Sequence, residues 1–240
     1  MQLVSFCFDD GFAATQAHVR RAFAPRGLAA TFCILAEPER AQDAAVRACP
    51  VAGWETWRAA RAEGHEVECH GLSHERLADL PLPEAQAGLA RSLAAFAREL
   101  PGFSARDSMF HAAYLAVPRA LMGWLADRVL AVRTACGRNG LNRVGDIAPG
   151  GPVDCVTFGP QAADGPAHVR LARFLAEEEG WLVLVFHGVG EGAWGPLSVA
   201  GLDALLDLAR ASGARIAPAS RAFRLVQAEA RSRAGRETSL

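Results

Sequence analysis

The sequence predicts a parallel α/β fold. Short apolar runs rich in β-branched and aromatic residues alternate with helical patterns along the whole chain, which is the signature of strands joined by helical crossovers. The runs lack polar alternation, as strands buried on both faces do. Reactive residues also fall at the ends of several runs, and in a parallel barrel all those ends share one rim. The 240 residues, 51% of them hydrophobic, suffice for one domain with a sizeable core, expected at residues 1–226.

The first strand is read at residues 3–8, a run that ends at Asp9 and Asp10 and is followed by a helix at 13–23. A strand at 29–35 and a helix at 56–63 lead to a strand at 66–69, which ends at His70 with His74 four residues on. Pro83 and Pro118 open helices at 83–100 and 118–127, because a first-turn residue needs no N–H. Strands at 108–111 and 129–133 flank the second of these; the former reaches His111 and then Tyr114, the only tyrosine. Residues 137–151 hold five glycines and few periodic apolar positions, and read as one long loop. A strand at 155–158, a helix at 167–179, a strand at 182–186 ending at His187, a helix at 199–211 and a strand at 214–217 complete the pattern. Gly27, Gly64, Gly180 and Gly213 each follow a helical pattern and suit a C-terminal cap. Beyond Gln227 the apolar pattern is lost, so residues 227–240 are expected to be a frayed or disordered tail.

A net charge of −1, without a basic block, argues against a nucleic-acid partner. No apolar run approaches the roughly 18 residues of a membrane span. The N-terminus lacks a basic segment and a cleavage site, so the sequence as it stands reads as cytoplasmic, unless a leader lies outside it. None of the six cysteines forms a CxxC pair, and they read as small buried hydrophobes rather than a disulfide framework.

The HGLSH run, residues 70–74, places two histidines at i and i+4, which point the same way on a helical turn and can share a metal. A carboxylate from a neighbouring strand end would complete a three-ligand site with room for water. Asp9 and Asp10 can be read as a cap for the helix at 13–23, but that explains one acid better than two. At a barrel rim, one acid can bind metal while the other handles a proton. His187 is either a structural histidine or, opposite the metal, a general acid. His18, His65 and His168 read as surface or structural residues. Trp194, in the glycine-rich run 188–196, either packs or stacks on a sugar ring.

These motifs resemble those of the NodB-type polysaccharide deacetylases, carbohydrate esterase family 4. CFDDG (7–11) resembles the family's TFDDG, HGLSH its H[S/T]xxH, and LVFHG (184–188) its last motif, over a span from Leu3 to Phe223. The resemblance implies a distorted (β/α) barrel, often seven-stranded, that removes an N- or O-acyl group with a divalent metal, usually zinc, with cobalt or nickel as alternatives. It implies Asp10, His70 and His74 as metal ligands, Asp9 as general base, His187 as general acid and the Tyr114 backbone N–H as an oxyanion donor. The substrate implied is an acetylated sugar or polysaccharide. The chain departs from the pattern at Gly71, where Ser or Thr is usual. It departs again in FHAAY (110–114), where His111 stands in place of an arginine that pairs with the base. No DxxDW-like run follows residue 129 either, and Arg133 or Asp154 is a candidate to supply a lost partner.

Three rival readings remain at this level. One is an inactive metal- or carbohydrate-binding relative, which the altered third motif favours. Another is a non-haem iron oxygenase using the same two-His, one-carboxylate set. The last is a deacylase of a small cytoplasmic metabolite.

Overall fold

The computed structural model describes residues 1–159 and 163–237. In chain order the first half comprises β1 (Gln2–Phe8), α1 (Ala13–Phe23), β2 (Thr31–Ile34), α2 (Ala44–Ala48), α3 (Trp54–Ala62), β3 (Glu66–Cys69), α4 (Leu82–Glu99), β4 (Phe110–His111) and α5 (Arg119–Ala126). The second half comprises β5 (Val132–Arg133), β6 (Leu141–Asn142), β7 (Pro152–Val153), β8 (Val156–Thr157), α6 (Asp164–Glu177), β9 (Gly180–Phe186), β10 (Gly188–Val189), β11 (Pro196–Leu197), α7 (Val199–Ala211), β12 (Arg215–Ile216) and α8 (Ala219–Glu237).

The main sheet follows the order β6-β9-β1-β2-β3-β4-β5-β7, and β8 returns to pair with β9. Since β7 and β8 are separated only by Asp154 and Cys155, the stretch 152–157 bonds to β5 at one end and to β9 at the other. It brings the two edges together, so β1, β2, β3, β4, β5, β7–β8 and β9 form a nearly closed parallel barrel, as the resemblance implied. At the foot of β1, below the start of β2, β12 occupies the free edge opposite Leu3 and Val4.

Strand parity divides the core. Alternate residues point to opposite faces, so Val4, Phe6 and Phe8 of β1 join Phe32, Leu184 and Phe186 under the helices. Leu3 and Cys7 join Cys33, Val153, Trp181, Val183 and Val185 inside the barrel. Each buried large apolar side chain contributes about 1.5–3 kcal/mol. Inside the barrel the packing also includes polar groups with partners: Trp181 Nε1 donates to Ser5 Oγ at 2.9 Å, and that hydroxyl donates to the Ala217 carbonyl at 2.7 Å.

Several expected elements differ in extent. Runs 29–35, 108–111 and 129–133 shrink to β2, β4 and β5, although Leu130 N still bonds Ser108 O just outside the ladder. Residues 137–151 are not a single loop. They contain β6, antiparallel to β9, and Asn142 lies wholly buried there. Other elements also went unforeseen: α2, five residues long and too short to show a period, β7, which begins at a proline, the two-residue strands β10 and β11, and the start of α8 at Ala219. The residues read as a tail from 227 continue α8 as far as Glu237, and residues 238–240 lie outside those described. Among the described residues no helix is long and apolar enough to cross a membrane.

Candidate active site

The odd positions of β1 face the barrel interior, so the residue after the strand, Asp9, points inward at the rim and is nearly fully buried. Asp10 follows with φ 69°, a left-handed conformation that aspartate tolerates. Gly11, at φ 80°, completes the turn; a Cβ there would lie 3.2 Å from Ile34 Cγ2 and Trp57 Cζ2. The left-handed turn brings Asp10 Oδ1 to 3.4 Å from His70 Nε2 and 3.4 Å from His74 Nε2.

The two histidines meet by a different route from the one the spacing suggested. Residues 70–76 form no helical turn. His70 continues β3, and the chain folds back through Gly71 (φ 112°) to His74 (φ 64°), so that the rings lie 5.4 Å apart. His70 Nδ1 lies 2.8 Å from the His111 carbonyl, an acceptor only, so that nitrogen carries the proton and Nε2 presents a lone pair. Asp10 Oδ1 and His70 Nε2 are buried and have no hydrogen-bond partner among the described residues. Three ligand atoms with unused lone pairs, within 4.8 Å of one another, fit a divalent cation, and the Asp/His₂ donor set suits zinc and its neighbours.

Asp9 has a partner that sequence reasoning did not settle. Arg133, fully buried on β5, donates from Nη1 to Oδ1 at 2.9 Å and from Nη2 to Oδ2 at 2.6 Å. Burial alone would raise the Asp9 carboxyl, but Arg133, with His70, outweighs it and holds the group well below the usual carboxylate range. His111 does not stand beside Asp9 as that partner. Its Nε2 faces Glu68 Oε2 at 2.5 Å, and burial, followed by the charge of Arg133, pushes the imidazole well below its ordinary pKa. The arginine reaches Asp9 from the neighbouring strand, since Arg133 pairs with His111 across the β4–β5 ladder. Asp154, the other candidate, instead accepts from the N–H groups of Cys136, Arg138 and Gly140.

His187 follows β9 and lines the same cavity as Asp9, Asp10, His70 and His74. Its Nδ1 is buried with no partner among the described residues, and its ring meets Trp194 edge-on at 4.7 Å. The cavity, about 310 Å³, is closed on the other side by Tyr114 and Ala45. Tyr114 and Leu115 both take positive φ (54° and 56°), so the β4–α5 loop is strained where it borders the cavity. The Tyr114 ring lies 4.7 Å from that of His74. The six cysteines are free, with Cys49 and Cys136 only half-buried. His65 is structural: its Nδ1 accepts the Ala30 N–H at 3.0 Å.

Residues 1–118 match the family model for polysaccharide deacetylase. That stretch holds Asp9, Asp10, His70, His74 and Tyr114, and ends before Arg133 and His187. No curated protein matches the chain. Among solved structures it is similar to the peptidoglycan deacetylase PdaC from Bacillus subtilis, with TM-score 0.64 and 16% identity over 99% of this chain and 96% of that one. It is also similar to a family 4 acetyl xylan esterase from Clostridium thermocellum in complex with a cobalt ion, with TM-score 0.64 and 16% identity over 93% of this chain and 91% of that one. A CE4 family pseudoenzyme from Bacillus anthracis is similar at TM-score 0.61 and 11% identity, over 92% of this chain and 65% of that one. At such identities the likeness is one of fold. Residues 1–118 belong by sequence to the polysaccharide deacetylase family, and almost the whole length of the chain shares the fold of these structures.

Proposed function

We propose that the protein is a metal-dependent deacylase that removes an acetyl or other short acyl group from an N-acetylated sugar or related carbohydrate. The observation that carries this reading is the buried Asp10–His70–His74 cluster with a second acid, Asp9, beside it. Those three residues would hold the cation, and two imidazoles with one carboxylate favour zinc. When bound, such an ion supplies Lewis acidity and lowers the pKa of water in its coordination shell.

The chain's own groups divide the remaining work. Asp9 stays ionised beside Arg133 and accepts the proton of the attacking water. Its carboxylate oxygen Oδ2 lies 3.8 Å from His70 Nε2, and the hold of Arg133 on both oxygens supports a base beside the metal ligands. The Tyr114 backbone N–H donates to the oxygen on which negative charge develops. His187, across the cavity, delivers a proton to the departing nitrogen or oxygen. Trp194, packed against His187, would border the leaving group.

A cavity of about 310 Å³ is at the lower end for small-molecule sites. It can take an acyl group carried on one sugar unit, alone or within a glycan, or, as a second reading, on a small metabolite. Acetate release should be measured from acetylated oligosaccharides and from small acyl amides, with and without added zinc or cobalt. Asp9→Asn should keep the metal and lose turnover by about 10² or more, while Asp10→Ala should lose the metal. Near-normal deacylation by Asp9→Asn would remove Asp9 from the proposed role. Absence of turnover by metal-loaded wild-type protein on every substrate would favour the inactive-relative reading.

A further inference from the structure

The 36–53 excursion between β2 and α3 carries an acid outside the resemblance's motifs, Asp43. Its Oδ1 accepts the N–H groups of Ala45 (2.8 Å) and Val46 (3.3 Å) and so caps α2. Its Oδ2 turns to the site. There it accepts the Tyr114 hydroxyl at 2.6 Å and lies 3.5 Å from His74 Nδ1. That nitrogen is buried and otherwise without a partner among the described residues. One carboxylate oxygen thus faces both a candidate metal ligand and the side chain of the strained loop beside it. The Arg76 guanidinium lies over the same Tyr114 ring, 4.2 Å from its centre.

We propose that Asp43 is a positioning residue of the metal centre: it takes the Nδ1–H of His74, fixing Nε2 as the ligand atom, and through the Tyr114 hydroxyl holds the β4–α5 loop at the site. The inference rests on reading Asp10, His70 and His74 as the metal ligands. Chemistry favours it because a ligating histidine usually donates its other ring N–H to a carboxylate or carbonyl, which sets the tautomer and raises ligand basicity. His70 has such a partner in the His111 carbonyl. For His74 the acceptor placed to serve, among the described residues, is Asp43. The 3.5 Å separation is longer than a formed hydrogen bond, so the proposal requires the imidazole to turn toward Asp43.

Asp43→Asn is the discriminating variant. Its amide oxygen can still cap α2, but an NH₂ replaces the acceptor facing His74 and Tyr114. Zinc affinity should be measured by competition with a chromogenic chelator on the full chain, alongside the thermal midpoint of the metal-free protein. Zinc affinity should fall roughly 10–100-fold with the metal-free midpoint near wild type. Tyr114→Phe should leave zinc affinity unchanged and lower kcat/KM. Should Asp43→Asn fail to fold, Asp43→Ser keeps the cap and tests the same point. Wild-type zinc affinity in the folded Asp43 variant overturns the role of Asp43 while leaving the metal centre standing. No zinc binding by wild type overturns both.

Discussion

Arg133 grips both oxygens of Asp9 in a planar, bidentate pair inside the barrel, and neither side chain has appreciable contact with water. Such a pair does two things for a base. It fixes the carboxylate plane, and it keeps the acid ionised through the mildly acidic range where a buried, unpaired aspartate would take up a proton. The acidic limb of the pH–rate profile should therefore not belong to Asp9 in the wild type. In Arg133→Gln the carboxylate loses its counter-charge while remaining buried, so its pKa rises. The variant should show a lower kcat and a pH–rate profile whose acidic limb has moved to higher pH. It should also be less stable by about 3–5 kcal/mol, the usual cost of breaking a buried pair. A profile that only drops in height, without moving, would show that Arg133 does not set the ionisation of Asp9. The placement explains how the family-like arginine partnership survives the change to His111: the guanidinium enters from β5, one strand over.

The barrel closes at a seam that no strand pattern announces. Between β7 and β8 the backbone of Asp154 lacks a strand neighbour, and the side chain of Asn142 on β6 fills the gap. Its Oδ1 accepts the Asp154 N–H at 2.8 Å and its Nδ2 donates to the Asp154 carbonyl at 2.9 Å, as a neighbouring strand's peptide would. Asn142→Ala would leave both Asp154 groups buried and unpaired, at about 1–3 kcal/mol for each. Chemical unfolding should show a loss of about 2–6 kcal/mol; a loss under about 0.5 kcal/mol would mean that the seam is held elsewhere. This seam also marks where reading the sequence stops working. The long strands β1 and β9, the helices at 13–23 and 199–211, and the strand ends carrying Asp9, His70 and His187 were legible because strand and helix periods are local properties. Two-residue strands such as β6 and β7 have no period to read, and a barrel's closure depends on contacts far apart in sequence. The partners within the site were illegible for the same reason. Nothing in LAVRTACG says that its arginine reaches β1, and nothing around Asp43 says that it faces His74.

Across the whole molecule, a column of polar groups runs through the barrel interior from the rim down to Glu68, and two of the buried acids, Glu68 and Asp9, respond to pH in opposite senses. Glu68 is 1% exposed and faces His111 Nε2, the Ser220 hydroxyl and the Met109 N–H, with Glu66 and the charges of Arg133 and Arg224 beyond. Burial pushes its carboxyl up to about 7, against an ordinary 4.5, and the hydrogen bonds only partly offset this. Its folded pKa lies above the unfolded one, so its contribution to stability is fully present below about 4.5. As pH rises from there to about 7 the unfolded chain releases the proton first, and stability falls, then levels off. Asp9 has the reverse sign: its folded pKa is depressed, and its contribution is present above the ordinary carboxylate range and lost as pH falls below it. Glu68→Gln imitates the protonated acid and should remove Glu68's own share of the change, so that wild-type stability falls relative to the variant's by about 1–3 kcal/mol between pH 4.5 and 7, with Glu66, raised to about 8, and the acid-side loss left in place. Urea unfolding at intervals across pH 3–8 would measure both limbs. If the two proteins' curves run parallel from pH 4.5 to 7, Glu68 is not the group that couples the barrel's interior to proton concentration.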